Sequence, residues 1–455
     1  MSKVNRIVSL ILAAMLTASL ISCERTHNPP DVTDTVPEST ADTVSQAEQQ
    51  LAVKRYHDWE NDIFYLADAF LGGHPKLTET SYCYDAELKA SFENEINLLL
   101  PRIYELSDTE VIYELSRIIA NLRDSNSVID VPESRIFPLV FEAFYEDDGV
   151  SLYTIAARAG EDRLMFSRLE AINGIPTDEV LARLSPLVSS ESEYYTLRSL
   201  TGIFINALIT RRDTLAAVGV IGRDDITAEF TMSFEDGSSE TVEFTALDED
   251  GLDEIKGTRA EKTLFSAGAL MFQNYGEYCW HTYVPEDNMV YVRITYCYDE
   301  SGMWSEVMRD IKEAPEPPKV VFDLRLNYGG RYPMSGFDGF LASLANTDTD
   351  GVYILIDGSV RSVSAATAAA IKQKIDGSLI LGIPGGGSPN ATGSISRYTM
   401  PRTGCGFYMS SSMHTNLKEY GTEPIMPDIA VYPTVEDYKD GIDTILEYVK
   451  NAGAE

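Results

Sequence analysis

The chain is short of positive charge. Its 455 residues carry 36 Lys and Arg against 71 Asp and Glu, a formal net charge of -35. Such a balance excludes wrapping a phosphate backbone or lying broadly on an anionic lipid surface. Histidine is scarce, with five residues, and so is cysteine, with five. No Cys-x-x-Cys pair occurs among them, which removes zinc-ribbon and thioredoxin-type chemistry, and no metal or cofactor is implied. Beyond the N-terminus no apolar run is long enough to cross a bilayer, and no internal repeat of solenoid length is evident. What remains is ordinary for a folded soluble chain, 44% hydrophobic, 10% aromatic and 24% charged, long enough for two to four domains.

The first residues read as a targeting segment. Lys3 and Arg6 precede an apolar stretch, Ile7 to Ile21, and Leu20-Ile21-Ser22-Cys23 follows, the order of n-region, h-region and cleavage site. The small residue before a cysteine resembles the bacterial lipobox. That resemblance implies a signal peptide over 1–22, lipidation of Cys23, and an exported protein tethered to the outer face of a bacterial membrane. Residues 23–49, rich in Thr, Pro, Asp, Ser, Glu and Gln, have the composition of a solvated tether.

From residue 50 apolar side chains recur at helical spacing: Trp59, Ile63, Leu66 and Phe70, then Leu88, Phe92, Ile96 and Leu99, then Val111, Leu115, Ile118 and Leu122. Ser107 and Glu110 have capping-box spacing at the start of the third run. This predicts a helical domain over 50–130. Residues 131–262 read as a β-rich middle region. In it an apolar strand, the Asn173-Gly174 turn and a helix opened by Thr177-Asp178-Glu179 resemble the closing half of a PDZ module. Alternation from Ile226 to Phe234, a turn at Asp236-Gly237, and Val242 and Phe244 predict a hairpin.

Over 263–455 the buried-strand runs 319–325 and 352–357, an alanine-rich helix over 364–375, and a third strand over 378–382 predict an α/β core with crossover helices. Two motifs stand at strand ends, where such sheets place ligands. Gly329-Gly330, closing Asp323-Leu-Arg-Leu-Asn-Tyr-Gly-Gly, lets backbone amides approach developing negative charge. Ser364-Ala365-Ala366-Thr367 opens the helix after Asp357-Gly358 and places a hydroxyl beside a helix N-terminus.

Together with Leu71-Gly-Gly-His74-Pro75, Leu122-Arg-Asp124-Ser-Asn126-Ser127, Gly382 to Gly387 and Pro427-Asp428-Ile429, these motifs resemble the tail-specific proteases, or C-terminal processing peptidases, and their tricorn-core and retinol-binding-protein relatives. The resemblance implies a ClpP/crotonase-like mixed sheet and a serine peptidase acting on peptides or unfolded protein tails through an acyl-enzyme. It puts Ser364 in the nucleophile position and the N–H groups of Gly329 or Gly330 and of Ala365 in the oxyanion positions. It also exposes departures. The Asp-x-His-Thr box reads Asp124-Ser125-Asn126-Ser127; Thr367 replaces a glutamate; Arg293 stands on the first core strand where one branch has a histidine; and Gly385-Gly386-Gly387 replaces a Gly-Lys-Gly stretch. A serine hydroxyl needs a base to attack at neutral pH, and of the five histidines His74, His281 and His414 are the candidates. A catalytically silent peptide-binding lipoprotein is therefore the alternative reading. The spacing of Asn346, Asp348, Asp350, Gly351 and Asp357 meets a calcium loop almost fully, but it runs into a strand and reads as a surface turn.

Overall fold

The computed structural model describes residues 46–452, apart from 147–148, 158–159, 203–206, 249–268, 275, 299–301, 328, 332–333, 335 and 416. The signal segment, Cys23 and nearly all of the expected tether lie outside the described residues.

The apolar periodicity of the N-terminal region becomes α1 (Gln46–Gly73), α2 (Ala86–Leu99) and α3 (Asp108–Ala120). Asp85 caps α2, and at α3 the Ser107 side chain and the Glu110 carboxylate satisfy each other's backbone N–H as a full capping box. The chain then forms β1 (Val128–Ile129), β2 (Leu139–Glu146), β3 (Gly149–Ala157), β4 (Arg168–Ile172), β5 (Ile175–Pro176), α4 (Thr177–Leu184), α5 (Glu193–Leu200), α6 (Arg212–Ala217), β6 (Thr227–Ser233) and β7 (Ser239–Thr245). Strands β2 to β7 make an antiparallel sheet in the order β2-β3-β4-β6-β7, with β5 paired to β4. Asn173, at φ 49, and Gly174, at φ 73, turn β4 into β5. The hairpin of β6 and β7 keeps one register from Thr227 opposite Thr245 to Ser233 opposite Ser239.

The third part contains β8 (Cys279–Val284), β9 (Met289–Ile294), α7 (Met303–Glu313), β10 (Lys319–Asp323), α8 (Phe337–Leu344), β11 (Val352–Ile356), α9 (Val363–Lys374), β12 (Leu379–Gly382), β13 (Thr392–Thr399), β14 (Gly406–Met413), β15 (Ile429–Ala430), α10 (Val435–Asp440) and α11 (Thr444–Asn451). Its sheet runs β15-β12-β11-β10-β9-β8, parallel except for the β8–β9 pair. Alternate residues of each strand face opposite layers. Val290, Val292, Val320, Phe322, Ile354 and Ile356 pack under α7, α8 and α9, while Tyr291, Val321, Tyr353 and Leu355 pack against Ile445, Leu446 and Val449 of α11. Both faces being covered explains the uninterrupted apolar runs of β10 and β11.

The helical region is not closed by its own residues. β1 pairs with β14, Val128 opposite Tyr408, and Met400, Phe407 and Met409 of the C-terminal hairpin complete the core around Phe70 and Phe92. This long-range pairing carries the turn over 124–127 to the carboxyl ends of the parallel strands.

Candidate active site

The box after β10 is a scaffold for a loop. Asp323, fully buried, accepts from Tyr291 Oη at 2.6 Å, Arg325 Nη2 at 2.6 Å and Arg293 Nη1 at 3.2 Å. Burial opposes its ionisation, but the two guanidinium groups outweigh burial and hold its pKa down at about 2. Arg325 continues to Asp443, the cap of α11, with both contacts at 2.7 Å. Asn327 Nδ2 donates to Ile294 O at 2.8 Å, and its Oδ1 accepts from Gly329 N at 2.9 Å. Gly329 and Gly330 follow at φ 123 and 137, values that a side chain rarely tolerates. A Cβ at Gly330 would lie 2.2 Å from the Cys297 carbonyl oxygen, and one at Gly329 would meet the Ser362 Cβ at 3.7 Å. The double-glycine loop and the start of α9 therefore meet at one end of the sheet.

Two serines stand at that helix start, and they differ. Ser364 has no exposed surface. Its Oγ accepts from Arg361 N at 3.0 Å and lies 2.8 Å from both Asn327 O and Arg361 O, to either of which it donates. This hydroxyl, the one expected to be the nucleophile, ties the glycine loop to the first turn of α9 and is engaged by backbone groups on that loop and turn. Ala365 is likewise fully buried one residue further along, the Gly329 N–H is used by Asn327, and Gly330 forms a parallel bridge with Cys297. Ser362, the residue before the helix, is half-buried, with φ 53 and ψ −123. Non-glycine residues held in that region cost of order 1–3 kcal/mol and persist where the surroundings over-determine them. A serine on a strained strand-to-helix turn, followed by a helix, is the arrangement of a nucleophile elbow. The signal in the sequence was the pair Ser362-Val363-Ser364, in which either serine could lead the helix.

The residues around the elbow gather two distant segments. His74 Nε2 contacts Asp124 Oδ2 at 3.0 Å, both buried, and Asp124 also accepts from Ser127 Oγ at 2.5 Å and Asn126 N at 3.0 Å. Burial raises the Asp124 pKa, but these donors and His74 outweigh it and hold the carboxyl well below the usual range. His74 is thus a brace for the 124–127 turn. From that turn Asn126 sends Nδ2 to Thr392 O at 2.7 Å, and its Oδ1 accepts from Arg361 Nη1 at 2.6 Å. Arg361 also donates to Ser125 Oγ at 3.1 Å and lies 5.0 Å from the Tyr195 ring centroid. Glu191 comes close: burial and the nearby Asp124 push its pKa up, and a Cβ on Gly387 would meet both Arg361 Cβ at 3.0 Å and Glu191 Oε2 at 3.3 Å. The turn over 124–127 thus presents to Arg361, the residue before Ser362, an amide in place of the histidine of the Asp-x-His-Thr box, and neither an amide nor a guanidinium accepts a proton at neutral pH.

The other candidate bases are engaged elsewhere. His281 pairs with Asp310 of α7 at 3.1 Å. His414 lies over Gly393, its Nε2 3.3 Å from Ser412 Oγ. Lys372 binds Asp428 at 2.8 Å. Asp357, the twelfth position of the calcium-like spacing, accepts instead from Leu326 N and Ser359 N. Cys83, Cys279, Cys297 and Cys405 are unbridged.

A serine-to-alanine mutant of CPAF superposes with a TM-score of 0.58 at 12% identity, covering 88% of this chain and 97% of that one. Mature CPAF complexed with lactacystin gives 0.55 at 13% identity, covering 88% and 98%. The chain shares the fold of CPAF. A looser superposition, TM-score 0.37 at 12% identity, is found with the photosystem II D1 C-terminal processing protease, covering 87% of this chain and 97% of that one. No protein-family model and no curated protein matches the sequence.

Proposed function

We propose that the protein is a serine peptidase acting on extended peptides or unfolded protein tails, and that Ser362, rather than Ser364, attacks the scissile carbonyl. The observation that carries this reading is the strained backbone of Ser362 against the double-glycine loop, a conformation of the kind that clusters at active sites. In the step proposed, Ser362 Oγ bonds to the carbonyl carbon, and the oxygen takes the electron pair and is met by the N–H of Val363 and of Gly330. Collapse then expels the amine and leaves an ester on Ser362, which water hydrolyses. No imidazole or amine among the described residues is placed against Ser362, so water takes its proton and hands one to the leaving nitrogen as the amine departs, and turnover is slow.

The contact of Asn126 with Arg361 favours a second reading, a silent relative that binds peptides without cutting them. Cleavage of an unfolded protein substrate by the wild type, by Ser362→Ala and by Ser364→Ala separates the two: slow cleavage abolished only by Ser362→Ala supports the peptidase, and equal inactivity of all three supports the binder. Export and a lipid anchor at Cys23 belong to the same proposal. They are supported by the basic start, apolar run and Leu-Ile-Ser-Cys order of the N-terminus, and Cys23→Ala is expected to move the protein from the membrane fraction of a lipoprotein-processing bacterium to the soluble one.

A further inference from the structure

The outward face beside the double-glycine loop carries an aromatic cluster that the chemistry at Ser362 does not use. After β9 the chain continues through Thr295 and Tyr296 to Cys297, which forms a parallel bridge with Gly330. Cys297 N donates to Gly329 O at 2.9 Å, and Cys297 O accepts from Arg331 N at 2.7 Å. Cys297 is buried, so the alternation of an extended segment sends its neighbours Tyr296 and Tyr298 outward together. Tyr278, at the entry to β8, is fixed beside them because its carbonyl accepts from Thr295 N at 2.8 Å. Its ring lies 5.3 Å from that of Tyr296 and 6.0 Å from that of Tyr298, tilted by 49° and 51°. The three remain 53%, 41% and 45% exposed, although burying aromatic area is among the largest gains available to a fold. Glu277, exposed, adjoins Tyr278.

We propose that Tyr278, Tyr296 and Tyr298 form a subsite for a lysine or arginine side chain of the peptide whose backbone lies at Ser362. The inference rests on the peptide reading above and adds the residue type that the site prefers. Ring faces attract cations through the quadrupole. Glu277 adds a local negative charge, and the net charge of -35 draws cationic peptides toward the molecule as a whole. The subsite joins the reacting centre directly, since the glycine hydrogen-bonded to Cys297 is the one packed against Ser362. Arg331, on the same loop, is the opposing charge, and it makes an acidic side chain the competing occupant.

The test is fluorescence anisotropy of labelled alanine-rich peptides in which one Lys, Phe or Glu is walked along the sequence, titrated with the full chain. At its best position Lys is expected to bind about 3- to 10-fold tighter than Ala. The preference falls below about twofold in Tyr296→Ala/Tyr298→Ala and is retained in Tyr296→Phe/Tyr298→Phe, which keeps both rings. An equal preference in the alanine variant, a flat Lys profile, or a stronger gain from Phe or Glu would overturn the proposal. Should no peptide bind, the peptide reading fails, and the subsite is judged by adding Nα-acetyl-lysine methylamide to tyrosine-labelled protein: ring resonances of Tyr278, Tyr296 and Tyr298, assigned with the phenylalanine variants, shift if the proposal holds and stay fixed if it does not.

Discussion

Replacing each of the two serines at the start of α9 should move stability in opposite directions. Ser362→Gly relieves a backbone held at φ 53 and ψ −123, worth about 1–3 kcal/mol, and returns about 0.5–1 kcal/mol through the extra freedom of glycine in the unfolded chain. The net expectation is a gain of about 1 kcal/mol. Ser364→Ala removes a buried hydroxyl that accepts from Arg361 N and donates to a carbonyl of the glycine loop or its own turn. It forfeits about 1 kcal/mol per hydrogen bond and leaves the Arg361 N–H without its acceptor, for a loss of about 2–3 kcal/mol. The two variants should therefore differ by about 3–4 kcal/mol, or about 1 M in urea midpoint if m is about 3 kcal/mol/M. Urea unfolding followed by tryptophan fluorescence measures this. Ser362→Gly less stable than wild type, together with a neutral Ser364→Ala, would refute the assignment of strain to one serine and scaffolding to the other.

Other outcomes follow from the same contacts. Asp443→Ala removes both 2.7 Å contacts that Arg325 makes from the buried box and should cost about 3–5 kcal/mol in an unfolding titration. Asp323 has a depressed folded pKa, about 2, against about 3.9 unfolded. The stability it contributes is fully present above about pH 4 and is lost as pH falls toward 2, an effect of order 2 kcal/mol; a urea midpoint unchanged between pH 5 and pH 2 would contradict it. Asn126→His supplies a proton acceptor at the turn that now binds Arg361, and a rise of about 10²- to 10⁴-fold in peptide hydrolysis is expected, cancelled by adding Ser362→Ala. Gly330→Ala drives a methyl group into the Cys297 carbonyl, and loss of peptide binding or of folding is expected in a pull-down with matched circular dichroism.

Local patterns were well expressed in the sequence. Ser107 and Glu110 announced the start of α3, Asn173-Gly174 announced the β4–β5 turn, and the apolar runs at 319 and 352 became the two central strands of the core sheet. Each of these signals acts within a few residues. The hairpin of β13 and β14 was not anticipated, because Ser394, Ser396 and Arg397 face outward and break the apolar alternation, and its role is to pair with β1 far earlier in the chain. Asp323 and Arg325 were legible as a motif, but their partner Asp443 lies 118 residues from Arg325. At the site the serine-rich helix start was legible and the family resemblance singled out Ser364, while the strain at Ser362 exists only in three dimensions. The absence of histidine at position 126 was visible in the sequence; that Arg361 fills the ground beside it was not.

The chemistry proposed depends on which hydroxyl is presented to a carbonyl. A fluorophosphonate probe bonds covalently to a serine held at an oxyanion site, and mass spectrometry of the digested protein locates the adduct. The account predicts slow phosphonylation of Ser362, abolished in Ser362→Ala and intact in Ser364→Ala, whereas an adduct on Ser364, or none on the folded protein, would contradict it.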